Sequence, residues 1–203
     1  MLYVRAHHIL GIGVALAVMT AVDGFFGSRV LELPAMAGGG SGLPMRRMLP
    51  LGFAAVGAGG LHSGMEQFER VAGAAVRKYE LWHALVMFAT TVLLIGGVEM
   101  ATSDSRRTVT AVRALIIWWG LALVSGAAFG RWLSWVFPLI TIFPLTYLQQ
   151  NGRGEDRWWD WAQQPPSTLP CWVLAAIAVV IGAGAFAWTP WRRQRLTRAW
   201  TRA

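Results

Sequence analysis

Long apolar runs separated by short, arginine-bearing polar stretches set the rhythm of this chain. The clearest run, 81–99, reads LWHALVMFATTVLLIGGVE and contains no lysine or arginine. Its 19 residues would rise roughly 28 Å as a helix, about the thickness of a bilayer's hydrocarbon core. A backbone in lipid must satisfy its own hydrogen bonds, so such a run is a helix. Similar runs recur, and the pattern predicts an all-α polytopic transmembrane bundle of about six spans. These fall at 8–26, 48–61, 81–98, 112–129, 132–148 and 171–188 within one integral membrane domain, and a basic tail follows at 189–203. The second is the shortest and most glycine-rich. The first starts with a basic residue and an apolar stretch, as a signal peptide would, but no clean small-x-small cleavage site follows, so it is read as a span.

Between spans 2 and 3 the pattern changes period. Met65, Phe68, Ala72, Val76 and Tyr79 are spaced by 3, 4, 4 and 3, which is one helical stripe. Glu66 and Arg70 form an i,i+4 pair that supports the helix. Arg77, Lys78 and Glu80 make the junction into span 3. The segment 65–79 is therefore expected to be an amphipathic helix, either resting on anionic lipid or docking on a soluble partner.

Composition agrees with a membrane class. Of 203 residues 55% are hydrophobic and 14% charged, where a soluble domain carries about 25% charged. The net charge is +8, but the arginines lie at the ends of apolar runs, which reads as topology signal rather than a nucleic-acid face. Five arginines follow span 6, at 192, 193, 195, 198 and 202. By the positive-inside rule the tail is cytoplasmic. Six spans then place the N-terminus there too, along with the stretch 70–78. The expected location is a bacterial cell membrane.

Most of the twelve tryptophans fall at predicted interfaces, as an aromatic belt does. Trp118 and Trp119 sit mid-span instead, where they pack against lipid or line a path for an apolar substrate. Pro138 and Pro144 are expected to kink span 5. Gly126 and Gly130, Gly182 and Gly184, and Gly11 and Gly13 mark expected packing seams. The loop 27–47 contains AGGGSGLP and reads as flexible. The loop 149–170 carries Trp158, Trp159 and Trp161, which are expected to tuck it onto the membrane surface.

No catalytic constellation emerges. Ser41 and Ser63 lack the G-x-S-x-G context, and no P-loop occurs. His7, His8, His62 and His83 show no i,i+4 metal spacing, and Cys171 is the lone cysteine. A haem pair involving His8 or His83 is conceivable, but neither metal nor cofactor is expected. Asp23 and Glu99 lie at the ends of their spans, where solvent can reach an ionised group at little cost.

The layout resembles small six-span membrane proteins of actinobacteria treated as permease components of ATP-binding-cassette transporters. The resemblance rests on His62-Ser63, on Glu69-Arg70-Val71-Ala72, on Arg113 opening span 4, on Trp135 and Pro138, and on Trp159 and Trp161 before the last span. It implies that 65–79 is a coupling helix seated on a separate ATPase subunit, with Glu66, Glu69, Arg70, Arg77 and Lys78 as contact residues. Trp118, Trp119, Pro138 and Pro144 would then border the path of an amphipathic, peptide-like or lipid-like substrate. The partners implied are the ATPase, membrane lipid and further copies or subunits, with no nucleic acid. The competing expectation is a non-catalytic subunit of a larger membrane complex, or an immunity or scaffold protein.

Overall fold

The computed structural model describes residues 9–34, 40–61, 73–147 and 157–200. It is a helical bundle, α1 (Ile9–Phe26), α2 (Met45–Gly59), α3 (Gly73–Thr102), α4 (Ser105–Phe129), α5 (Val136–Tyr147) and α6 (Leu169–Trp200), with a 3-10 turn at Arg131–Leu133. The one departure from helix among the described elements is an antiparallel ribbon between α1 and α2, β1 (Val30–Pro34) paired with β2 (Gly40–Pro44), in the register Val30 to Pro44 through Pro34 to Gly40. The loop expected to be flexible is thus partly ordered by ladder pairing. Its base is closed on α1, with Met45 N–H donating to Arg29 O at 3.0 Å and Arg46 N–H to Gly27 O at 3.2 Å.

Three helices are long and apolar enough to cross a membrane, Lys78–Thr102, Ser105–Phe129 and Leu169–Trp188. The other three are shorter helices among the described residues, and of these only α5 falls clearly short of its expected run. The apolar part of α1 is Leu10–Phe26. α2 has 15 residues and carries Arg46 and Arg47 in its first turn; it rises about 22 Å. α5 has 12 residues and rises about 18 Å. The cause at α5 is local. Gly130 ends α4 at φ +103°, a backbone that side chains disfavour, while its N–H closes on Gly126 O at 3.0 Å. The chain then spends Arg131–Leu133 in the 3-10 turn before α5 begins. Pro138 lies in the first turn of α5, where no helical N–H bond is lost, so it does not kink the helix; Pro144 lies inside it.

α4 is the central helix and packs against α2, α3, α5 and α6. Its buried set runs around the helix and includes Arg113, Leu115, Trp118, Trp119, Ala122 and Ser125. Of its most apolar window 56% is buried, against 22% for α3 and 17% for α6. The outer faces of α3 and α6 are correspondingly apolar, with Leu93, Val180 and Ile181 exposed, as lipid-facing helices require. α4 and α6 run parallel and meet at small residues. A Cβ on Gly120 would strike the Ala178 carbonyl, and one on Gly182 would lie 2.7 Å from Gly120 O. Close approach of backbones is the usual means of helix association in lipid. The expected seam at Gly182 is therefore found. Gly11, Gly13 and Gly184 face open space, and Gly130 serves as the cap of α4.

The six helices alternate in direction. Ile12 and Met87 approach Gly60 at one end. At the other, the hairpin end, the ribbon base, the end of α3 and the start of α4 come together. Asp104 caps α4 there, its Oδ1 accepting from Arg107 N–H at 2.8 Å.

Candidate functional site: two buried charge clusters at the hairpin end

The first cluster is built by three helices. α1 contributes Asp23 from its last turn, α2 contributes Arg46 from its first, and α3 contributes Glu99 from its last. Arg46 Nε lies 3.1 Å from Glu99 Oε1 and 3.8 Å from Asp23 Oδ1. Its two terminal nitrogens donate to Ser103 Oγ at 2.6 Å and Thr102 Oγ1 at 2.8 Å. Asp23 and Glu99 are 0% and 1% exposed. The expectation of solvated helix-end carboxylates is therefore overturned: the fold closes over both acids. Gly27 makes the closure possible, since a Cβ there would lie 2.7 Å from Asp23 Oδ1 and 3.1 Å from Arg46 Nε.

The second cluster lies between α4 and the loop preceding α6. Arg113 is fully buried. It donates to Pro165 O at 2.9 Å, to Trp161 O at 3.0 Å and to Gln164 O at 2.5 Å. Its guanidinium also stands 5.9 Å from the Trp172 ring centre, a cation–π distance. Asp160, 1% exposed, belongs to the same loop and accepts from Ala162 N–H at 3.2 Å. Cys171 packs beside it, with its Sγ donating to Trp158 O at 3.4 Å. The three carbonyls converge because residues 157–168 turn tightly, with Gln163 and Gln164 N–H donating to Asp160 O. The loop is thus bound into the bundle, with Trp159 and Trp161 packed against its core, while Trp158 is exposed.

Of the expected substrate-path residues, the structure brings Trp118 and Pro138 together. Trp118 is fully buried and donates from Nε1 to Thr141 Oγ1 at 2.9 Å. That hydroxyl donates in turn to Pro138 O at 2.6 Å. The Trp118 ring meets Trp161 edge-on at 6.3 Å. Trp119 packs against Phe88 at 5.3 Å and fills the space left by Gly57. Pro144 is half-buried farther along α5.

Of the expected coupling residues, Glu66, Glu69 and Arg70 lie outside the described residues. Arg77 and Lys78 belong to the first turns of α3, with Lys78 and Tyr79 exposed. The stretch 73–79 is thus continuous with α3 rather than a separate element. Among the described residues no group of three or more His, Cys, Asp and Glu side chains converges as a metal site. No family model, curated protein or solved structure matches this chain.

Sequence reading missed the convergence of Asp23, Arg46 and Glu99. The available signal was a carboxylate within each of two apolar runs and an arginine opening a third, since ionisable groups within spans are costly and usually paired.

Proposed function

We propose that the chain is the membrane-spanning, permease-like subunit of an ATP-binding-cassette type exporter, driven by a separate ATPase and moving an amphipathic, peptide-like or lipid-like substrate. It sits in the cell membrane as a multi-pass protein with both termini cytoplasmic. The observation that carries this reading is the way α2 and α3 are joined. In the chain α2 is followed by α3, and the Arg46–Glu99 ion pair ties the start of α2 to the end of α3. A partner seated on 65–79, through Glu66, Glu69, Arg70, Arg77 and Lys78, would tilt α2 against α3. The charge cluster is the contact such a tilt opens. ATP-dependent closure of the partner would bias the two states by its differential affinity for them.

A second reading is a static subunit or scaffold of a larger membrane complex. Phe53, Leu115 and Trp118 fill the centre of the bundle with apolar side chains, which favours a fixed core over a path through a single copy. Purification in mild detergent followed by mass spectrometry separates the two. Recovery of an ATP-binding-cassette ATPase near one-to-one, with its turnover stimulated by this chain and not by the Arg70→Ala variant, supports the exporter. Recovery of other membrane subunits without an ATPase supports the scaffold.

A further inference from the structure

The Asp23–Arg46–Glu99 cluster does not balance. Two carboxylates face one guanidinium, which leaves a formal charge of −1 if both acids are ionised. Asp23 is 0% exposed and neither of its carboxylate oxygens accepts a hydrogen bond; Glu99 Oε2 has no partner either. The nearest cation to Asp23 is Arg46 at 3.8 Å, and that group is already committed to Glu99, Ser103 and Thr102. Of the other described charges nearby, Arg29 lies over the Phe26 ring at 4.8 Å, Asp104 caps α4, and Arg47, next to Arg46 in α2, has an interaction of its own. An uncompensated buried charge is strongly unfavourable.

We propose that the Asp23–Glu99 pair is a binding site for one monovalent cation, either a proton shared by the two carboxyls or an alkali-metal ion held between them, and that occupancy locks α1, α2 and α3 together at the hairpin end. Arg46 supplies one of the two positive charges the acids require, and the bound cation supplies the second. Loss of the cation leaves Asp23 and Glu99 repelling each other across one arginine and loosens three helices at once. This site does not depend on which partner drives the protein, so it stands or falls separately from the exporter reading.

The test uses the purified full chain in detergent, with thermal unfolding followed by tryptophan fluorescence. One arm varies pH in sodium-free choline chloride. The other varies sodium against choline at fixed pH and ionic strength. A ligand that binds only the folded state raises the midpoint with its concentration. The wild type is expected to gain stability as pH falls if the cation is a proton, or as sodium rises if it is an alkali metal. In Asp23→Asn, and independently in Glu99→Gln, the site is already balanced by Arg46, and that dependence is lost while the fold is retained. A wild type flat in both arms overturns the proposal. So does a response that both variants keep unchanged.

Discussion

Two arginines reach into the same end of this bundle, Arg113 fully buried and Arg46 partly so, and their surroundings are opposites. Arg113 is set among acceptors, with three backbone carbonyls taking its protons, an indole face nearby and Asp160 on the same loop. The acceptors come from one continuous stretch, so the site is a lock on a loop. Arg46 instead joins three separate helices and faces more negative charge than it can offset. The lesson is that burial alone does not classify an intramembrane charge. An arginine whose terminal nitrogens are taken up by neutral carbonyls holds structure in place, and one that faces two carboxylates is where a ligand or a movement is coupled.

The sharpest way to break the comparison is to remove each arginine. Arg46→Ala leaves two buried carboxylates facing each other and should cost about 3–5 kcal/mol, the usual loss when one partner of a buried ion pair is deleted. Chemical or thermal unfolding in detergent, at a pH where carboxyls ionise, measures it. Arg113→Ala leaves the carbonyls of Trp161, Gln164 and Pro165 without their donor and should cost about 3 kcal/mol. Its distinguishing sign is release of the loop, read as faster proteolysis between 157 and 168. Arg113→Lys should recover only part of the loss, because a single ammonium cannot replace a planar fork of donors.

Smaller effects probe the scaffold that holds both sites in register. Gly120→Ala drives a methyl into the Ala178 carbonyl and should cost about 1–3 kcal/mol, as overpacking does. Gly184→Ala meets nothing within 4 Å and should be neutral in the same unfolding assay. Trp118→Phe removes the donor to Thr141 and should cost about 1 kcal/mol or slightly more.

The helices were legible in the sequence because lipid demands long apolar runs, and the runs over 81–98, 112–129 and 171–188 lie within helices of spanning length. The length of the fifth run was not legible. Apolar residues continue through 132–148, but the break after Gly130 is a matter of backbone conformation, and it shortens α5. Gly182 could be picked out as a seam and Gly11 could not be discarded, since both look alike until a neighbouring helix is placed against one of them. The charge cluster was hidden for the same reason. Asp23, Arg46 and Glu99 are far apart in the chain and meet only through the register of three helices. Arg113 entered the sequence reading only as the arginine opening span 4, and its acceptors are backbone carbonyls, which leave no mark in sequence.

The most direct measurement sets the two sites side by side by neutralising one acid in each. Asp23→Asn and Asp160→Asn are compared in one unfolding assay at alkaline pH, where carboxyls are ionised. Asp23→Asn removes a charge that the fold does not balance, so the variant should be at least as stable as the wild type. Asp160→Asn takes a negative charge from beside a buried arginine and should be clearly less stable. Equal destabilisation by both would contradict the account, because Asp23 would then be a carboxylate whose charge the fold needs, as it needs that of Asp160.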